Sequence, residues 1–421
     1  MIVKFNVLFE IKLKILKYIK HNSIFFYNLV LFIIPIIYYL FDYSKINLGD
    51  IYYNPWSFLL SDVFSFSDFI GERDEVPGDY YLMDTDYFGT MPPGSLIIGK
   101  IYGLLPQNSV LVLVLVLYFY FTLEIIRRLY GKNLLLLVTV LNFSFWFGIF
   151  RGNNDIYQVP LILFLVYFVH NNKWFFVSFT ILILAAIEPY CLLFVLLLII
   201  RKKILNFLIT LLLYAFIWIT PIFYGAKNLK LYFDLSFSSP KTYLHNMVFW
   251  DNGMLFGNSL WGLFKIVLPP ILGINNGQAQ HDYFYFQFMP FYIVICFSTI
   301  LTLFFIMYYK SINNFDVLLI LAITICLLTP VTAYYKIAML IPFYLDIFNN
   351  YLDYNRKKIN VIFLILLITL FNIKPYFIIQ LRSGVSVYLD SFLNPLLMIM
   401  MLMLLVYKHL PYIRRKISNN G

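Results

Sequence analysis

Long apolar runs separated by short polar breaks dominate the chain, and their lengths suit membrane-crossing helices, which need about 20 predominantly apolar residues. Runs of this kind cover Ile24 to Phe41, Val110 to Leu129, Leu134 to Phe150, Ile156 to Val169, Ile204 to Phe223 and Phe288 to Tyr309. Others cover Val317 to Leu328, Val331 to Phe348, Ile359 to Ile373 and Leu393 to Tyr407. Pro93 to Leu105 is short for a span and stops at Pro106. Trp174 to Ile200 is long and carries Glu188-Pro189 in its middle, so it reads as one kinked helix or as two short helices forming a V. The pattern predicts an all-α integral membrane protein, one polytopic domain over residues 1–421 with about 10–13 membrane helices, some of them short and re-entrant.

Composition strengthens this reading. Of 421 residues 62% are hydrophobic and only 12% are charged, against about 25% charged in a soluble domain. The mean hydropathy is +0.80. Aromatic residues reach 20%, more than a bundle core needs, and suit belts at the membrane interfaces. Cys191, Cys296 and Cys326 lie in separate apolar runs, and the five histidines are scattered without metal-ligand spacing, so the cysteines read as packing residues and no structural metal is expected.

The net charge of +10 points to nucleic acid in a soluble protein, but here it reports topology. With the N-terminus in the cytoplasm, the inner loops and termini collect Lys4, Lys12, Lys14, Lys17, Lys20, Arg127, Arg128, Lys132, Lys173, Arg201, Lys202, Lys203, Lys310, Arg356, Lys357, Lys358, Lys408, Arg414, Arg415 and Lys416. That bias is the positive-inside pattern, and it requires Trp174 to Ile200 to enter and leave from the inside, which favours the V. Both termini are then cytoplasmic. Residues 1–23 hold an interfacial amphipathic helix in which Lys alternates with Ile, Leu and Phe over Val3 to Ile19. No small-residue cleavage site follows Phe41, so this stretch is not read as a leader.

Polar residues concentrate on the opposite face. Residues 42–92 form a first external loop with 10 of the 21 acidic residues, and apolar stretches such as Trp56 to Leu60 suit short juxtamembrane helices in it. Residues 224–287 form a second large external loop. Charged groups at membrane depth cost about 2.5–3.5 kcal/mol each, so they mark functional sites by default. Four places qualify: Asp50 with Tyr53, close to the first span; the turn Arg151-Gly-Asn-Asn-Asp155; Gly257-Asn-Ser-Leu-Trp-Gly-Leu-Phe264; and Thr329-Pro-Val-Thr-Ala-Tyr-Tyr-Lys336. Asn154 or Asp155 caps the next helix, whereas Arg151 is not needed for capping and its guanidinium suits a phosphate. For Lys336 the competing reading is a snorkelling side chain.

These motifs, in this order over roughly residues 40 to 350, resemble the GT-C glycosyltransferases, in the branch of bacterial polyprenol-phosphate-mannose-dependent mannosyltransferases. The matching positions are Asp50 and Tyr53, Pro92-Pro93, Arg151-Gly152-Asn153, Asn258-Ser259-Leu260-Trp261-Gly262, and Pro330 through Tyr335 to Lys336. A Lys-Pro step of the family is Glu188-Pro189 here. The resemblance implies a GT-C-like helical bundle that transfers a hexose, mannose in the family, from a polyprenyl-phosphate donor to a glycan or lipid-linked acceptor at the external face of the cell membrane. Asp50 is the expected base, Arg151 and Lys336 hold the donor phosphate, and Tyr53, Asn153, Asp155, Asn258, Trp261 and Tyr335 contact substrate. A monophosphate leaving group carries less charge than a nucleotide diphosphate, so neither metal nor cofactor is expected, although Asp84-Thr-Asp86 keeps a metal option open. A surface polysaccharide polymerase and a lipid or sugar transporter or flippase are the rival readings; the chain shows no internal repeat of the kind common in transporters.

Overall fold

The computed structural model describes residues 118, 120–129, 142, 144–145, 157–224, 257–273, 278–309, 312–332, 334–352, 358–372, 378–380 and 386–418, with the single helical positions 30 and 33. Asp50, Tyr53, Arg151, Asn153 and Asp155, the amphipathic N-terminus and the first external loop lie outside these residues.

The described part is helical apart from one short hairpin. α1 (Gln158–His170), α2 (Trp174–Ile187), a 3-10 segment (Pro189–Val195) and α3 (Leu196–Ile200) are followed by α4 (Ile204–Tyr224), α5 (Leu260–Ile271) and α6 (Gln278–Tyr309). Then come α7 (Asn314–Leu328), α8 (Tyr334–Ile337), a 3-10 turn (Ala338–Leu340), α9 (Ile341–Leu352), α10 (Lys358–Asn372) and α11 (Leu389–Ser418). β1 (Ile378–Gln380) pairs antiparallel with β2 (Ser386–Tyr388), Ile379 facing Val387. The described part is otherwise helical throughout, in agreement with the all-α expectation; the hairpin was not foreseen, since hydropathy over so short a segment carries no strand signal of its own.

Among the described residues, two helices are long and apolar enough to cross a membrane: Phe284–Tyr308, with a mean hydropathy of 2.3, and Leu389–His409, with 2.0. α6 begins well before the apolar run that announced it, so α5 and the start of α6 occupy ground expected to be external loop. The run from Val331 to Phe348 is not one helix but α8, a 3-10 turn and α9.

Trp174 to Ile200 is a V. Glu188 is extended (φ −135°, ψ 105°) and Pro189, which cannot continue the α2 hydrogen-bond ladder, opens the 3-10 segment. The second arm returns to the start of the first: Lys203 Nζ lies 5.5 Å from the Trp174 ring centroid, and Asn206 Nδ2 donates to the Trp174 carbonyl at 3.3 Å and to Ser178 Oγ at 3.1 Å. At about 1.5 Å per residue, neither arm approaches the thickness of a bilayer core, about 30 Å.

The turns at the open end of the V share one geometry. Asn172 N donates to Val169 O and Lys173 N to Phe168 O; Lys202 N donates to Ile199 O and Lys203 N to Leu198 O. Each is a Schellman closure whose central residue, Asn172 (φ 55°) or Lys202 (φ 57°), is left-handed. Thus Lys173 and the Arg201-Lys202-Lys203 triplet sit at one end of the bundle. α7 starts there too, because Arg201 Nη2 donates to the Ile312 carbonyl. α7 is the hub of the core, with every residue from Asp316 to Leu328 buried. Cys191 and Cys326 are buried in the same apolar cluster.

Candidate functional site

The far end of α7 is where two of the four polar places meet. Thr329 leaves the helix in extended form (φ −63°, ψ 127°), and Thr332 Oγ1 donates back to the Cys326 carbonyl at 2.7 Å, closing the broken helix end. The loop before α5 docks on it: Asn258 N donates to Thr332 O at 2.9 Å and Ser259 Oγ donates to Pro330 O at 2.8 Å. Ser259 Oγ also accepts from Gly262 N at 3.2 Å, so this one hydroxyl caps α5 and fastens it to the neighbouring loop. Gly262 is required for the approach, because a Cβ there would overlap the Gly257 carbonyl oxygen.

Lys336 follows on α8. Its side chain is 6% exposed, so the ammonium does not snorkel to a surface. Nζ lies 3.5 Å from Glu188 Oε1 and 5.0 Å from the Tyr190 ring centroid, and it donates to Val331 O at 3.4 Å. The apex of the V thus delivers a carboxylate and an aromatic face to the buried cation, a desolvated site where an unpaired charge is not tolerated. Glu188 places an opposite charge beside Lys336.

Of the remaining expected substrate contacts, Asn258 is fully buried, and its Oδ1 accepts from Asn394 Nδ2 at 2.9 Å. Asn258 Nδ2 and Asn394 Oδ1 are both buried without a hydrogen-bond partner. Trp261 is 1% exposed and packs against Tyr285, Phe288 and Tyr292, with centroids 6.2, 6.1 and 4.9 Å away. Its ring braces α5 on α6, and Tyr292 OH in turn donates to the Leu328 carbonyl at 2.8 Å. Tyr335 lies on α8.

Residues absent from the sequence expectation join the cluster from the start of α11: Asp390, Ser391 and Asn394 are all fully buried, and Asp390 Oδ1 accepts from Ser391 N at 3.0 Å. The sequence signal for them is polar residues at the start of the last apolar run, Asp390 and Ser391 just ahead of Leu393 and Asn394 just after it. Among the described residues, no group of three or more His, Cys, Asp or Glu side chains is placed to hold a metal ion.

The described residues define a helical fold, with two helices among them suited to crossing a membrane and a buried polar knot where a broken helix, a V apex and two loops converge. No protein-family model, curated protein or solved structure matches the chain.

Proposed function

We propose that the chain is a multi-pass cell-membrane glycosyltransferase that moves a hexose, mannose by the resemblance, from a polyprenyl-phosphate donor to a glycan or lipid-linked acceptor on the external face, with inversion. The observation that carries the reading is Lys336, a buried ammonium between the Thr329–Lys336 step and the Glu188-Pro189 apex, next to the loop that holds Asn258. Membrane residence is supported by the exposed apolar faces of α4 (Leu205, Leu212, Phe216) and α6 (Phe291, Val294, Phe297), which exceed what a soluble monomer leaves in water. Basic turns at one end of the bundle and the polar knot at the other agree with a cytoplasmic and an external side.

In this mechanism the Asp50 carboxylate takes the proton of the acceptor hydroxyl as its oxygen attacks the anomeric carbon. The bond from that carbon to the phosphate oxygen breaks, and the electron pair leaves on polyprenyl phosphate. Arg151 and Lys336 stabilise the leaving dianion. Glu188 keeps Lys336 compensated until a phosphate replaces it as the partner.

The test is transfer from polyprenyl-phosphate mannose by the purified, reconstituted protein. Asp50→Asn is expected to lower turnover by about 10²–10⁴-fold, and Arg151→Ala and Lys336→Met to weaken donor use. Movement of intact donor across the bilayer without release of polyprenyl phosphate would replace this reading with transport, and repeated extension of one acceptor would replace it with polymerisation.

A further inference from the structure

The two turns at the open end of the V carry a concentration of positive charge that the transferase reading does not use. Lys173 follows the left-handed Asn172, and Arg201, Lys202 and Lys203 make up the second turn. The turns touch, because Lys203 Nζ lies 5.5 Å from the Trp174 ring centroid and Asn206 Nδ2 donates to the Trp174 carbonyl. Lys173 and Lys202 are exposed. Among the described residues, none of these four cations forms an ion pair with a carboxylate. Asp316 and Asp346, which share a cavity wall with Asn172, have partners of their own, Lys408 and His409 in the case of Asp316. Arg201 is half-buried, and its Nη2 donates to the Ile312 carbonyl, a neutral acceptor. Its charge is therefore desolvated without being compensated, a situation that an anion relieves.

Each basic turn leads straight into an exposed apolar face. α2 exposes Phe175 and Phe179, and α4 exposes Leu205, Leu208 and Leu212. These spacings of three and four residues keep each set on one side of its helix. At about 1.5 Å per residue, the α4 face runs from the level of the cations to more than about 10 Å along the bundle. A free anion would need only the cations. Cations at the helix starts with hydrocarbon-bearing faces below them match a molecule that has an anionic head and long apolar chains.

We propose that the open end of the V is a binding site for an anionic phospholipid, its phosphate held by Lys173, Arg201, Lys202 and Lys203 and its acyl chains laid along the exposed faces of α2 and α4. The proposal rests on membrane residence and not on sugar transfer. Native mass spectrometry of the full chain in detergent tests it, with phosphatidylglycerol and phosphatidylcholine offered in equal amounts and inorganic phosphate as competitor. Wild-type protein is expected to retain phosphatidylglycerol over phosphatidylcholine, and each lysine removed from the turns is expected to lower that preference about five-fold. Lys202→Gly removes one charge at a left-handed position that glycine adopts freely, so it reads the effect in a folded protein even if the double variant Lys173→Gln, Lys202→Gly fails to fold. Phosphatidylglycerol should stay bound in excess inorganic phosphate, because the chains hold it to α2 and α4. Equal retention of the two lipids by wild-type protein, an unchanged preference in Lys202→Gly, or displacement of the lipid by inorganic phosphate overturns the proposal. Loss of its premise would be recognised separately, as a chain that stays dispersed without detergent.

Discussion

The ion pair between Lys336 and Glu188 is the sharpest place to test the site. Its N–O separation is 3.5 Å, with the side chains 6% and 15% exposed. At an effective dielectric of about 20 the attraction is about 5 kcal/mol, and most of it offsets the desolvation of the two charges. Removing one partner forfeits the attraction while leaving the other charge buried, which costs about 3–5 kcal/mol. A loss of about 3–5 kcal/mol is therefore expected for Lys336→Met. The double variant Lys336→Met, Glu188→Gln removes both charges and is expected to regain about 2 kcal/mol. Tyr190 serves as a control, because its ring lies 5.0 Å from Nζ and Tyr190→Leu should cost about 1–2 kcal/mol through the cation–π contact. The assay is denaturant unfolding of the detergent-solubilised protein as a double-mutant cycle. Single effects that add to within about 0.5 kcal/mol would refute the pairing, and with it the view that a donor phosphate must replace Glu188 at Lys336.

Three further outcomes follow from the geometry. Gly262→Ala sets a methyl against the Gly257 carbonyl and should cost at least about 1–3 kcal/mol by overpacking, read as a lowered unfolding midpoint; an unchanged midpoint would mean that the α5 loop does not dock as described. Lys202 is left-handed at φ 57°, so Lys202→Gly should remove about 1–2 kcal/mol of backbone strain and give back about 0.4–1 kcal/mol to unfolded-chain entropy, a net gain of about 0.5–1 kcal/mol visible in thermal unfolding. At the basic end of the bundle, ahead of the apolar part of α7, burial pushes the Asp316 carboxyl up, but the His409 hydrogen bond and the Lys408 ammonium outweigh it and hold its pKa below the usual value. A lowered folded-state pKa gives stability that is present above the unfolded value, about 3.9, and is lost as pH falls through the folded one. Acid titration should therefore loosen the wild-type contact between α7 and α11 below about pH 4, and Asp316→Asn should remove that acid-dependent part, measured by unfolding at pH 6, 4 and 3.

What the sequence made legible is what lies within a single segment. α1, α4, α7 and α10 fall within a few residues of their apolar runs, because the run itself supplies the buried surface that holds each helix. Glu188-Pro189 was legible as a break for the same local reason. The basic residues at Lys173 and Lys203 also carried the V, because only a chain that doubles back keeps both at one end, and Lys203 does lie over Trp174. Pairing between segments was not legible. Nothing near Lys336 in the chain announces Glu188, some 150 residues earlier, and a lone lysine at the edge of an apolar run reads as a snorkelling surface residue. Asn394 was hidden by its own neighbourhood, since a polar residue at the start of a long apolar helix reads as the point where the helix meets water. Its contact with Asn258 shows the opposite: the start of α11 is buried because the α5 loop covers it. The same reasoning changes how Asp390 should be treated. Asp390 is a fully buried carboxylate in the wall of this cluster that accepts from Ser391 N, so substitutions that probe Asp50 as the base are best read beside Asp390→Asn. If Asp390→Asn abolished transfer while Asp50→Asn spared it, the external loop would hold the acceptor and the base would belong to α11.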